Sequence, residues 1–483
     1  MAEISEKLLD ERLAALEAAR AWSPRLVSKL ESHIRVADDA ALFRINPVSF
    51  AAEKDLSETE VIDLFLHAAA VGLFEINWII ICPLCSCVIE SFRALRNIDS
   101  HCRCTACHID MVAELDDMIA VTFTVSPAIR RTAYHDPDTL PVADYSYRYR
   151  ATLEGLIPDG TPFTVVKEMG TQALTYLEPG VTTSMEIAVE DGVLFGYCVN
   201  GEANLLFTVD TALPAAHSVV SIGCDDGGCD PANGTVPPGN VTFEIENATS
   251  RRLALGIAAL PAGFERPPLH FAPFLSGKRL LTTQTFRDLF RSEVTSQGLG
   301  IKDITLLFTD LKGSTALYDR IGDLDAFSLV QQHFDRLQDV AVRNDGAIIK
   351  TIGDAVMAAF RDPAHAVRAA LDMREEVRAA NRGSEGRELV LKIGVHKGAA
   401  IAVTLNDRLD YFGQTVNIAA RVQNLADADE IFLSKDVYET ATVKELLAPF
   451  RVEPQNARLR GVHVDIPVYR VQREVSVQNE PML

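Results

Sequence analysis

The sequence predicts a multidomain chain in which a helical region, a cysteine-rich segment and an all-β, sandwich-like domain precede a carboxy-terminal α+β domain. Three observations carry this. The 483 residues are about three times the 150-residue norm for one domain. Hydrophobic residues make up 48% and charged residues 23%, which is enough apolar surface for packed cores and excludes global disorder. The apolar period also changes along the chain, from helical, to alternating, to strands interleaved with helices.

In residues 1–77, Leu9, Leu13 and Leu16 recur at helical spacing, and Ser57 followed by Glu60 is a capping-box pattern before Val61, Leu64 and Leu66. Residues 78–111 hold the cysteine-rich segment. Over 112–270 strands dominate: Tyr145, Tyr147 and Tyr149 alternate with Ser146, Arg148 and Arg150, and Asp191-Gly192 reads as a tight hairpin turn. Residues 271–301 form a connector with Phe286, Leu289 and Phe290 on one helical face, closed by SQGLG at 296–300. Strands and helices alternate over 302–471, and 472–483 read as a flexible tail.

Lys and Arg number 46 against 67 Asp and Glu, a net charge of -21. Such a chain is repelled by phosphate backbones and anionic membranes, so no nucleic-acid partner is expected. The apolar runs near 68–74 and 78–82, broken by Glu75 and Asn77, fall short of the ~18 residues that span a bilayer. The charged opening, MAEISEKLLDERLAALEAAR, lacks an apolar signal centre, and the expected compartment is the cytoplasm. There thiols stay reduced, which turns nine cysteines toward metal binding.

Cys82-Pro83-Leu84-Cys85 and Cys104-Thr105-Ala106-Cys107 are two CxxC pairs with 18 residues between them, the spacing of a four-thiolate, zinc-ribbon-like site holding one structural zinc. Cys87, His101, Cys102 and His108 crowd the same segment. Cys224 and Cys229 flank an acidic loop and read as an incidental pair.

The run Ile304–Thr309 ends at Asp310, a carboxylate at the end of a strand, and Leu311-Lys312-Gly313-Ser314-Thr315 then opens a helix whose free N–H groups can hold phosphate oxygens. Forty-four residues later, Ala347–Phe360 read as two strands folded at Gly353-Asp354, which presents a second acid. Two such acids can share hard divalent cations that neutralise a triphosphate. A third stretch, Leu409–Val422, starts in a turn and becomes a helix carrying Asn417 and Arg421 at i, i+4.

In order and spacing, these three motifs resemble the catalytic domain of class III adenylyl cyclases over about residues 303–471. The resemblance implies a ferredoxin-like βαββαβ core, two Mg²⁺ or Mn²⁺ ions on Asp310, Asp354 and the Leu311 carbonyl, and purine selection by Lys350 and Asp410. It also implies that Asn417 orients the ribose, that Arg421 stabilises charge on the phosphates, and that Arg460 takes the terminal phosphates where many members have Lys. Adenine presents an acceptor at N1 and a donor at N6, which suits an ammonium and a carboxylate, whereas guanine reverses both. ATP is thus the expected substrate; a guanylyl cyclase or a silent nucleotide-binding module is the alternative. Lys350 and Asp354, four residues apart, are assigned to opposite ends of one nucleotide, and the resemblance resolves this with a homodimer whose sites are shared across the interface. Residues 1–270 resemble a regulatory region found before some bacterial class III cyclase domains.

Overall fold

In a computed structural model that describes residues 4–382, 388–458 and 466–472, the opening leucine stripe is the buried face of a helix. Leu9, Leu13 and Leu16 are buried on α1 (Glu6–Ala19), which packs against α2 (Pro24–Val36) and α4 (Glu58–Ala70), and α3 (Pro47–Lys54) packs on α4. The Ser57 hydroxyl caps α4 by accepting from the Glu60 N–H at 3.5 Å. β1 (Phe74–Ile81) is the centre of an antiparallel sheet, between β2 (Val88–Phe92) and a later strand, β5 (Ile119–Val125). Between them β3 (His101–Cys104) and β4 (Ile109–Val112) make a small hairpin. Because Ile80 lies opposite Ile119, the cysteine-bearing excursion begins and ends on adjacent strands.

Two expectations for the next stretch need correction. The tyrosine alternation is not a strand: α5 (Val142–Asp144) runs into a π-helical turn over Tyr145–Tyr149. Side chains four apart then share a face, so Tyr145 stacks on Tyr149 at 5.5 Å and Arg148 pairs with Asp144 at 3.0 Å. Asp191-Gly192, moreover, is not a hairpin turn. After β6 (Gly155–Leu156) and α6 (Phe163–Gly170), the strands β7 (Thr171–Leu177), β8 (Thr182–Val189), β9 (Val193–Cys198), β10 (Leu205–Val209), β11 (Ser218–Asp225), β12 (Gly228–Asp230), β13 (Asn233–Val236), β14 (Gly239–Asn247) and β15 (Leu253–Leu260) form two sheets. Their orders are β13-β10-β9-β15-β7 and β12-β11-β14-β8, so the Asp191-Gly192 turn carries the chain from one sheet to the other. Gly192 takes φ +87, and a Cβ there would lie 2.1 Å from the Leu260 carbonyl oxygen.

Ile187, Phe207, Phe243 and Leu255 are among the inward-facing residues that fill the core of this sandwich. Cys224 and Cys229, opposite each other on β11 and β12, are joined in a disulfide, which corrects their reading as incidental: the short hairpin brings both side chains to one face. β16 (His270–Phe271) pairs with β6.

The chain divides into two compact units, Met1–Ala94 with Ile98–Ala113 and Asp117–Ser276, and Gly277–Leu483 with Leu95–Asn97 and Glu114–Asp116. In the second unit the expected connector is two short helices, α7 (Gly277–Leu281) and α8 (Gln284–Leu289). Phe286 is buried and stacks on Phe290, whereas Leu289 faces solvent. Leu299 and Gly300 already belong to β17 (Leu299–Leu311). There follow α9 (Ser314–Ile321), α10 (Asp323–Arg343), β18 (Gly346–Ile352), β19 (Ala355–Phe360), α11 (Pro363–Asn381), β20 (Leu391–Leu405), β21 (Arg408–Phe412), α12 (Gln414–Gln423), β22 (Ile431–Ser434), α13 (Lys435–Tyr438), α14 (Ala441–Leu446), β23 (Arg451–Ala457) and β24 (Ile466–Gln472).

The sheet runs β18-β19-β17-β20-β22-β24-β23, with β21 on β20. Its first four strands are antiparallel and, with α10 and α11, form the βαββαβ unit of a ferredoxin-like α+β fold. Leu337 and Val340 of α10 and Val367 and Met373 of α11 meet Leu307, Ala358 and Ile393 in one core. α12 lies directly on β20. A Cβ on Gly394 would lie 2.1 Å from the Gln423 backbone nitrogen, and one on Gly398 would lie 2.7 Å from Thr415 Oγ1. Leu409–Phe412, expected as a turn, is strand β21, because its backbone pairs with β20 from Ile401 to Leu405. Arg460 and the tail 473–483 lie outside the described residues.

Candidate active site

β17 pairs with β19 so that Thr309 faces Val356. Asp310 follows that pair on β17, and Asp354 lies in the β18–β19 turn just before β19, so both acids stand at the same end of neighbouring strands. The β18–β19 turn is possible because Gly353 takes φ +65. Asp354 Oδ2 is buried and has no hydrogen-bond partner, while Asp310 forms an ion pair with Lys392, its cross-strand neighbour on β20. Gly313, at φ +73, turns the chain into α9, and the first-turn N–H groups of Ser314 and Thr315 have no intrahelical acceptor. Two oxygens that can accept a cation, one of them orphaned, suit a hard divalent ion.

Tyr318, one turn beyond Ser314 on α9, stands at the same place and is absent from the motif reading. Burial pushes its phenol up, and the negative charges of Asp354 and Asp310 add to this; its hydroxyl is buried without a hydrogen-bond partner. Its signal in the sequence is the i, i+4 relation to Ser314. Lys392 was missed because its partner is set by strand register rather than by local spacing.

Lys350 and Asp410, sixty residues apart, come together where β18 approaches β21. Lys350 Nζ donates to Asp410 Oδ2 at 2.5 Å, and Asp410 Oδ1 accepts from the Tyr411 N–H at 2.8 Å. Arg287 of α8 donates to the Leu409 carbonyl at 3.0 Å and lies over the Tyr411 ring. A cavity of about 270 Å³ opens beside Lys350, lined in part by Arg287, Ile348, Thr351 and Leu409. On α12, Asn417 is exposed and Arg421 half-buried. Among the described residues no hydrogen bond or ion pair joins the Asp310–Asp354 corner to Lys350 and Asp410 or to Asn417 and Arg421.

In the first unit, Cys82, Cys85, Cys104 and Cys107 bring their sulfurs within 4.8 Å of one another. The Cys85–Cys104 and Cys82–Cys107 separations are 3.6 and 4.0 Å, bracketing the ~3.8 Å edge of a tetrahedron with 2.3 Å metal–sulfur bonds. These four side chains can hold a metal ion. Cys87 and Cys102 are buried outside the cluster, His101 is exposed and His108 pairs with Glu202 at 3.1 Å. No helix among the described residues is long and apolar enough to cross a membrane.

Residues 298–463 match the family described as "Adenylate and Guanylate cyclase catalytic domain". "Adenylate cyclase 1" of Rhizobium meliloti (strain 1021) is 30% identical over 138 residues, which are 26% of this chain and 21% of that protein. "Adenylate cyclase" of Anabaena cylindrica is 26% identical over 184 residues, 35% of this chain and 36% of that one. The chain therefore spans between a fifth and about a third of the length of these relatives. Among solved structures, the adenylyl cyclase CyaB from P. aeruginosa is 22% identical with a TM-score of 0.33, covering 36% of this chain and 96% of that one. The guanylate cyclase domain of RhGC from Catenaria anguillulae in complex with GTP is 23% identical with a TM-score of 0.32, covering 36% and 98%. Residues 9–288, more than half of the chain, match the "Family of unknown function (DUF5939)". The chain thus belongs to the DUF5939 family, and behind that region it carries a class III nucleotidyl cyclase catalytic domain.

Proposed function

We propose that the carboxy-terminal unit is an adenylyl cyclase that converts ATP to 3',5'-cyclic AMP and pyrophosphate. The observation that carries the choice of base is the Lys350–Asp410 pair: an ammonium with donors to spare beside a carboxylate with open lone pairs matches adenine N1 and N6 and opposes guanine. Asp310, Asp354 and the Leu311 carbonyl would hold two Mg²⁺ or Mn²⁺ ions; when bound, these supply charge neutralisation at the triphosphate and a more acidic 3'-hydroxyl. The backbone of Gly313, Ser314 and Thr315 binds phosphate oxygens, and Arg460 receives the terminal ones. Asn417 orients the ribose so that its 3'-oxygen attacks the α-phosphorus in line with the departing pyrophosphate. Arg421 stabilises charge on the phosphates as that bond breaks.

The active unit in this reading is a homodimer, with Asp310 and Asp354 of one protomer facing Lys350, Asp410, Asn417 and Arg421 of its partner. Exposed Ile401 and Phe412, cross-strand partners on β20 and β21, support an apolar contact surface there. The cysteine cluster holds one structural zinc, the protein works in the cytoplasm, and the DUF5939 region senses or restrains.

Purified protein given ATP or GTP with Mn²⁺ or Mg²⁺ should yield cyclic AMP in preference to cyclic GMP. A preference for GTP overturns the base assignment, and no turnover of either makes the unit a binding module. Asp354→Ala and Asn417→Ala homodimers should each be nearly inactive. Co-expressed, they should recover about half the wild-type rate per heterodimer, since one of the two sites is then intact. Inactive heterodimers would refute site sharing.

A further inference from the structure

Between α6 and the ends of β9 and β15, the amino-terminal unit encloses a cavity of about 380 Å³. Phe163, Phe195 and Tyr197 wall it, and Gly170, Ala258 and Ala259 leave it room. The lining is mostly carbon, yet two cations reach it. Lys167 of α6 donates to Cys87 Sγ at 3.6 Å and lies 5.0 Å from the centre of the Tyr197 ring. The Arg266 guanidinium rests 3.8 Å from Cys107 Sγ. Among the described residues neither forms an ion pair with a carboxylate, in a chain where acids outnumber bases 67 to 46.

The phenols do not use these cations up. The Tyr197 hydroxyl is satisfied by the Tyr147 hydroxyl at 2.9 Å and Thr171 Oγ1 at 2.8 Å. An ammonium with one of three donors engaged, and a guanidinium touching only sulfur, keep N–H groups for an incoming anion. Phe264, 46% exposed, leaves an aromatic face at the mouth for a ligand to cover.

We propose that this cavity binds a small carboxylic acid with a hydrophobic body, its carboxylate received by Lys167 and Arg266 and its body by Phe163, Phe195 and Phe264. Charge-assisted bonds to a carboxylate are the strong ones, and an apolar pocket with a few convergent polar groups is the usual architecture of a small-ligand site.

Calorimetric titration of the full-length protein with octanoate tests this, with methyl octanoate as the uncharged comparison. Saturable binding at one site per chain is expected, with a Kd below about 1 mM. The ester should bind at least about tenfold more weakly, as should octanoate to Lys167→Met and to the surface variant Arg266→Gln. Unchanged unfolding temperatures will show that the variants remain folded. Equal affinity for acid and ester, an unchanged Kd in both variants, or no saturable heat from octanoate with the wild-type protein would overturn the assignment.

Discussion

Asp410 on β21 and Asp354 in the β18–β19 turn are left in opposite states. Asp410 is buried with both oxygens engaged, one by Lys350 and one by the Tyr411 N–H. Asp354 buries Oδ2 against nothing that can donate to it. A buried acceptor left unfilled costs about 1–3 kcal/mol, so a fold gains nothing by keeping one unless something outside the chain fills it. The satisfied acid suits the role of a preformed template, and the unsatisfied one suits the cation-binding role proposed above. The first unit repeats the contrast. Four cysteine sulfurs face one another in the CxxC cluster, whereas the Cys102 thiol, pushed up to about 11 by burial, stays protonated and lies 3.8 Å from the Met111 carbonyl.

The sharpest way to break this comparison is Asp354→Ala. Cyclase turnover should fall by about a thousandfold or more, while the unfolding temperature of the carboxy-terminal unit holds or rises, because an orphaned acceptor has been removed. A parallel loss of stability and activity would make Asp354 a structural residue. Substituting Cys85→Ser comes next. Bound metal, measured by mass spectrometry, should drop from about one ion per chain to well below that, and the amino-terminal unit should unfold first in a chelator. A fully folded, metal-free wild type would erase the parallel between the two units.

Changing the satisfied template should alter choice rather than rate. Lys350→Glu with Asp410→Cys should move the ATP-to-GTP ratio of kcat/KM by about 10- to 100-fold towards GTP. An unaltered ratio would mean that the pair merely ties β18 to β21.

The smallest effect separates two buried histidines. His396 is held by the Ser434 hydroxyl at 2.8 Å, whereas His333 Nε2 has no partner. Burial pushes both down to about 4. The unfolded chain, titrating near 6.5, then binds more protons than the folded one between those values. The stability contributed by the neutral rings is therefore complete above pH 6.5 and is lost as pH falls toward 4, by about 1.4 kcal/mol per pH unit for each ring. His333→Leu should flatten its share of that slope at little cost at pH 7. His396→Leu should flatten its share too, but at a cost of about 1–3 kcal/mol at pH 7, since it strands the buried Ser434 hydroxyl. Denaturant midpoints across pH 4 to 8 measure both.

What could be read in advance depended on whether the determinant was local. Asp310 at a strand end, the Gly353-Asp354 turn and the leucines of α1 each follow from neighbours in sequence. Lys392 beside Asp310 is a consequence of register between β17 and β20, and Lys350 beside Asp410 of the approach of two strands that do not pair; only the second pair is reachable from sequence, through family resemblance. The tyrosine run misleads because period two and i, i+4 stacking fit the same five residues; the structure takes the second, with Tyr145 on Tyr149 and Asp144 beside Arg148. Asp191-Gly192 marks a turn correctly, but a dipeptide carries no information on whether the strands beside it join one sheet or two.

The contact of α12 with β20 has a mechanical consequence. The helix is fastened near both ends: Gln423 is seated over Gly394, and Thr415 lies against Gly398 while its hydroxyl donates to the Ala399 carbonyl. Asn417 and Arg421 sit between those two rivets and cannot tilt without dragging the strand, which is in turn bonded along β17 to Asp310. The carboxy-terminal unit then behaves as a casting rather than a hinge. In the homodimer proposed above, control of such a machine would be exerted through whether and how two castings mate, not through the spacing of parts inside one.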